Sequence, residues 1–293
     1  MKNRTRNKTK IWIFAFLLPS ILLYALIYVY PLLTDFITSF CQWTSKTSPR
    51  FTGLSNYRYL FSKDSNLLIA FRNTVMWVVL QCTIHIGLGF LVAFVLSHRP
   101  LGWKFTRTAY MVPNAVSSVA MGVLYLNMFN PQIGIINSII RKLGFTDFQV
   151  NWFANDTTAF LAVTLTWLPY AAMTTILVMA EMTAIPDTLR EAAKIDGASN
   201  LQVDLYIILP MLKNVFNLCL ILAASAMVTN FDNIFVTTRG GPNNATLNLG
   251  LYYYKTANIE NNYGLANAIG TLQILFGLVL IWMINKAVKV EKE

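Results

Sequence analysis

Charge is what this chain has least of. Of 293 residues only 12% are Asp, Glu, Lys or Arg, about half the share usual in a soluble domain, ~25%. Histidine is nearly absent, with His85 and His98 alone. The three cysteines, Cys41, Cys82 and Cys219, form no CxxC pair. That excludes the usual spacings of a zinc site or a disulfide framework and leaves them as packing residues. No GxxxxGK[ST] loop, HExxH, GxSxG or dinucleotide glycine fingerprint occurs. The chain thus carries no sequence sign of hydrolysing ATP or of metal or serine hydrolase chemistry. Intramembrane carboxylates, the usual means of ion coupling, are almost missing too.

What is present is oil. Hydrophobic residues make up 55% of the chain and mean hydropathy is +0.50, more apolar surface than a core of this size hides from water. Six runs reach the roughly 20 apolar residues that a bilayer-spanning helix needs: 11–33, 70–97, 108–129, 158–182, 211–237 and 265–287. Pro19, Pro113 and Pro169 fall inside them, which membrane helices tolerate when neighbours satisfy the freed carbonyls. The first run follows a basic tail but is too long for a signal peptide and ends without a cleavage site, so a retained helix is expected. A lone intramembrane His85 is expected to bond a neighbouring helix rather than relay protons.

Lys and Arg give the orientation. With six spans both termini share a side, and 14 of the 23 basic residues fall on that side, which makes it cytoplasmic. The domain reading is a basic tail at 1–10, a six-span domain at 11–287 with a cytoplasmic loop at 183–210, and a tail at 288–293. The net charge of +10 follows from this topology and, being scattered over loops, gives no ground for nucleic-acid binding.

The loop AIPDTLREAAKIDGASNLQVDLYIILP interrupts the oil with polar helix formers. Pro186 sets a turn, Thr188 and Glu191 fit a capping box, and Gly197 is placed to end the helix in a left-handed conformation. A second helical piece over 200–208 leads to Pro210. Ala192 and Ala193 leave a flat face suited to close approach. On the residues alone, the loop serves equally as a docking helix or a solvated connection.

Glu191-Ala192-Ala193, Gly197, Ile207 and Leu209-Pro210 stand at the spacing EAA-x3-G-x9-I-x-LP. This resembles the signature loop of permease subunits of binding-protein-dependent ABC importers. LLPSILLYALIYVYPLLTDFITSF, FTGLSNYRYLF with FRNTVMWVV, and FDNIFVTTRGGPNNAT with LYYYKTA resemble segments of sugar permeases of the maltose-permease larger-subunit type. The resemblance implies an all-α membrane protein with the six-helix type I importer permease fold and cytoplasmic termini. It implies a heterodimer with a second six-helix permease, two ABC ATPase subunits, and an extracytoplasmic sugar-binding protein. ATP and Mg would sit on the ATPases, and this chain would bind no cofactor. Glu191 would anchor the loop in an ATPase cleft, Ala192 and Ala193 would allow close packing, and Gly197 would supply the bend, with Asp196 alongside.

A sugar path needs polar groups and aromatic faces within the spans. The candidates are Gln81, Asn127, Trp167, Tyr170, Asn230, Asp232 and Asn233, with Asp232 leading as the acid within a span. Against a sugar contact stand two plainer roles for each, a helix–helix hydrogen bond or an outer-surface contact with the binding protein. Gly240-Gly241-Pro242 reads as an outer turn, plain or touching the binding protein, and Trp152 with Phe153 as an interfacial aromatic belt. Other readings are a permease for a non-sugar solute, a stand-alone secondary carrier or channel, and a membrane scaffold.

Overall fold

The structure is a computed structural model that describes residues 2–288, with side chains from Trp12 onward. The side chains of the basic N-terminal tail, and residues 289–293 of the C-terminal one, lie outside the described residues.

Among the described residues four helices are long and apolar enough to cross a bilayer: Trp12–Thr38, Ser65–Ser97, Lys213–Thr237 and Tyr263–Ala287. They match the first, second, fifth and sixth expected spans. The third and fourth depart from expectation. Trp103–Ala115 and Ser118–Met128 meet at 102° instead of forming one straight helix. Pro113 lies in the last turn of the first piece, Val116 is extended, and Ser117 caps the second piece by accepting from the Ala120 amide at 3.2 Å. Hydropathy counting overlooks a serine cap inside an apolar run. The fourth span is divided into Ala159–Leu165 and Ala172–Ala184, because Pro169 cannot donate to a helix ladder.

The chain forms two compact units. One takes in the N-terminal segment through Lys63 together with Tyr253–Leu272. It holds the first span and a feature the all-helical expectation omitted, a β-hairpin of Cys41–Thr44 and Thr47–Phe51. Asn56 Nδ2 donates to the carbonyls of Ser39 (2.8 Å) and Cys41 (2.9 Å), fixing the chain where it leaves the first span. Asn267 Nδ2 donates to Thr38 Oγ1 at 2.6 Å. A Cβ on Gly264 would lie 2.1 Å from the Cys41 carbonyl oxygen, so only glycine admits that approach. None of the apolar window of Trp12–Thr38 is buried within the chain. That face awaits lipid or another subunit.

The second unit comprises Asp64–Tyr252 and the segment from Gln273. Its core gathers Ile86, Phe90 and Ala93 of the second span, Val178 and Met182 of Ala172–Ala184, and Val215 and Cys219 of the fifth. Val203, Ile208 and Leu212 join them from the loop and its exit. Gly89 lets the second span touch Ala172–Ala184: a Cβ there would meet Thr174 Cβ at 2.6 Å, and Thr175 Oγ1 donates to the Gly89 carbonyl at 3.1 Å. Small residues at such crossings allow the backbone approach that drives helix association in a bilayer.

Candidate functional site

The loop builds its helix two residues earlier than expected. Asp187–Ile195 starts after Pro186, whose extended ψ of 131° leaves it as the N-cap, and no side chain caps it. Thr188 is therefore already inside the helix, and the capping box expected from Thr188 and Glu191 does not form. A capping box forms eleven residues on, where Ser199 and Gln202 cap Asn200–Val203 reciprocally. The helix end follows expectation. Gly197 is left-handed at φ 86°, its amide donates to Lys194 O (3.0 Å), and the Ala198 amide donates to Ala193 O (2.9 Å). This pair of bonds is a Schellman stop.

Along this helix no residue is buried. Glu191, Ala192 and Asp196 are exposed, and Ile195 is 86% exposed. Among the described residues the Glu191 carboxylate takes part in no ion pair. Ala193 turns the other way and packs against the core, as do Ala198 and Ile207. The flat outer face is thus Ala192 alone, and Ala193 seats the helix. Behind it Ile208 is fully buried and Val203 nearly so, so these two side chains anchor the loop in the hydrophobic core, while Leu201, Leu205 and Tyr206 stay exposed. Leu209 and Pro210 are exposed at its exit.

Electrostatics braces the same loop. Asp204 is 6% exposed, in a π-helical turn, Asp204–Ile208. His98, at the end of the second span, donates from Nε2 to Asp204 Oδ2 at 2.6 Å, and Arg190 Nη1 of the loop helix lies 3.9 Å from Oδ1. Neither His98 nor Asp204 was among the expected functional residues. Both read as ordinary loop polars, and the contact joins positions 106 residues apart.

The path candidates fall into groups. Gln81 and His85 share a π-helical turn, Gln81–His85, within the second span; such turns recur at functional sites. His85 Nδ1 donates to the Leu168 carbonyl at 3.0 Å, the interhelical bond expected of it. That carbonyl lies in the break of the fourth span, where Tyr110 also serves: its hydroxyl donates to Pro169 O (3.2 Å) and accepts from the Ala171 amide (3.0 Å). Trp167 and Tyr170 occupy this break. The Trp167 ring centroid lies 6.3 Å from that of His85, and the Tyr170 hydroxyl pairs with that of Tyr125 at 2.7 Å. Non-helical backbone at membrane depth persists only where protein buries it or a cavity adjoins it. Buried polar atoms without a hydrogen-bond partner among the described residues include Gln81 Oε1, Trp167 Nε1 and Asn233 Oδ1.

Asn230 marks a second break, between Lys213–Val228 and Asp232–Thr237, and its carbonyl accepts from Asn248 Nδ2 at 2.5 Å. Asp232 is exposed, at the start of the short helix. Asn127 is exposed and donates to Val123 O of its own helix at 2.9 Å. The Gly240-Gly241-Pro242 turn is tied back: Thr246 Oγ1 donates to Gly241 O, and Asn73 Nδ2 donates to Ala245 O and Leu247 O at 3.0 and 2.9 Å. Trp152 and Phe153 form no exposed belt. Phe153 is 8% exposed, Trp152 Nε1 donates to Asn137 Oδ1 at 2.7 Å, and both rings pack against Phe129.

Apolar spans broken at polar and aromatic positions, beside an exposed helix braced on the core, define a multi-pass membrane transport subunit. Residues 85–288 match the family of binding-protein-dependent transport system inner membrane components. The chain belongs to that family and is an ABC importer permease of the inner membrane. It is 31% identical to the multiple sugar-binding transport system permease protein MsmF of Streptococcus mutans, over 96% of this chain and 97% of the relative. It is 34% identical to the trehalose/maltose transport system permease protein MalF of Thermococcus litoralis, over 80% and 78%. Its fold aligns at TM-score 0.86 and 19% identity with a solved bacterial ABC transporter involved in import of the acidic polysaccharide alginate, over 99% of each chain. The type I permease fold is thereby established.

Proposed function

We propose that this chain is one of two six-pass permeases of a carbohydrate importer and takes its energy from separate ATPase subunits through the 183–210 loop. The observation that carries the reading is how Asp187–Ile195 is mounted: Glu191 faces outward on the exposed side, Ala193 packs against the core, and Val203 and Ile208 anchor the same loop there. A tightly packed core shifts as a unit instead of absorbing strain locally. A partner pressing on that helix therefore moves the second, fourth and fifth spans together. In this assembly ATP and Mg belong to the ATPases, and an extracytoplasmic binding protein delivers the sugar. The sugar class is supported by the sugar-transport roles of the relatives MsmF and MalF and by the alginate importer whose fold aligns. The path we assign runs past the broken spans, with Trp167, Tyr170 and Gln81 the foremost contacts, then Asn233, Asn230, Asp232 and Asn127.

The test is Glu191→Lys in the native host. Uptake of the transported sugar is expected to collapse while the protein reaches the membrane in normal amount. Full uptake at normal expression overturns the coupling role. Flux through proteoliposomes holding this chain alone would instead mark a stand-alone carrier.

A further inference from the structure

Three arginines line one cavity where the spans meet the loop. A cavity of about 590 Å³ is lined by Arg99, Arg107 and Arg190, with Trp103 and Thr183 beside them. Each arginine comes from a different element: Arg99 from the turn after Ser65–Ser97, Arg107 from Trp103–Ala115, Arg190 from Asp187–Ile195. Arg99 is held at φ 49°, a left-handed backbone state that a non-glycine residue keeps only when its surroundings dictate it. Its guanidinium lies 5.8 Å from the centre of the Trp103 ring. Asp187 is the single acid in the lining. Among the described residues neither Arg99 nor Arg107 pairs with a carboxylate, and Arg190 reaches Asp204 only at 3.9 Å.

A second cavity, about 610 Å³ and mainly apolar, shares Trp103 and Arg107 and continues along the same helix past Met111, Val112 and Ala115. Basic residues that only set topology need not converge on one space. Here a cluster of arginine forks, suited to phosphate oxygens, adjoins an apolar groove at the basic end of membrane-spanning helices. That is the arrangement in which a protein recognises an acidic lipid.

We propose that the arginine cavity holds the phosphate of an anionic phospholipid, with an acyl chain along the groove of Trp103–Ala115. Arg190 ties the site to the loop helix, so an occupied site braces the base of that helix. The proposal concerns a ligand other than the transported solute and holds whichever solute is carried.

The experiment places the assembled transporter in nanodiscs of phosphatidylcholine with or without phosphatidylglycerol and reads retained lipid by native mass spectrometry. Wild type is expected to retain phosphatidylglycerol. The pair Arg99→Gln with Arg107→Gln is expected to retain it about a hundredfold more weakly, as follows from losing two charge-assisted contacts at about tenfold each. Arg72→Gln, an exposed arginine outside the cavity, should retain as wild type does. Where the double variant fails to assemble, Arg107→Gln alone, at an exposed side chain, should show a smaller loss in the same direction. Equal retention by wild type and the cavity variants overturns the proposal. If inorganic phosphate protects the protein from heat in phosphatidylcholine discs as well as phosphatidylglycerol does, the site takes soluble phosphate, and the lipid assignment falls.

Discussion

His98 and Asp204 close a clasp between the end of the second span and the interior of the loop, Nε2 to Oδ2 at 2.6 Å. Asp204 is nearly buried, while the His98 side chain is 41% exposed. A hydrogen bond to a buried carboxylate contributes about 2 kcal/mol when the donor is partly solvated. Its position matters more than its strength. The clasp fixes the segment on which Asp187–Ile195 is mounted, and Arg190 of that helix faces the same carboxylate.

Asp204→Ala should therefore separate two readouts that a merely structural change moves together. In the assembled transporter, ATP hydrolysis is expected to persist while sugar uptake per ATP falls severalfold, because the loop helix still meets its partner but is no longer fixed to the second span. Parallel loss of hydrolysis and uptake, in step with lower expression, would reduce the clasp to a folding contact.

Two isoleucines in the same loop should behave oppositely. Ile208 is fully buried and Ile195 is 86% exposed. Ile208→Ala removes core methyl groups and should cost about 3 kcal/mol, read as a lower melting temperature in detergent. Ile195→Ala should leave melting unchanged within about 0.5 kcal/mol and weaken co-purification of the ATPase. An Ile195→Ala protein that binds its ATPase normally would move the docking face elsewhere on the loop.

Much of this loop was legible in the sequence, and the reason is physical. Gly197 sits where only a residue free to adopt positive φ ends the helix, so its type announced its geometry. Four spans were legible because about 20 apolar residues at 1.5 Å each have few other homes. The third and fourth spans were misjudged because mean hydropathy ignores hydrogen-bond supply. Ser117 starts a new helix and Pro169 breaks one without lowering hydropathy much, and the backbone groups freed around Pro169 are satisfied by His85 and Tyr110, remote in sequence. The His98–Asp204 clasp was invisible for the same reason: nothing local to either residue signals a partner so far along the chain. Trp152 and Phe153 misled because aromatics at a span end serve a lipid boundary or a packed loop equally well.

Gly89 sets the contact between the second span and Ala172–Ala184. With Thr174 Cβ 2.6 Å from any added Cβ, Gly89→Ala forces the helices apart. Overpacking of this kind costs about 1–3 kcal/mol, so a clear fall in melting temperature is expected. Since the second span moves with Val178 and Met182 in one core, uptake should also drop. An unchanged melting curve would show that the two helices pass farther apart in the bilayer.

Tyr170 tests the path itself. It lies in the break of the fourth span, and its hydroxyl meets that of Tyr125 at 2.7 Å, so each ring offers a polar edge beside an aromatic face, the pairing that sugars favour. Tyr170→Phe keeps the ring and removes one hydroxyl, a loss of about 1 kcal/mol if that hydroxyl bonds the solute. Uptake measured across a range of sugar concentrations should then show KM raised about fivefold with the maximal rate little changed. Asn127→Ala supplies the contrast, because Asn127 is exposed and spends its amide on Val123 of its own helix; its KM should stay near wild type. A raised KM for Asn127→Ala with none for Tyr170→Phe would shift the path from the broken fourth span to the face of Ser118–Met128 that carries Asn127.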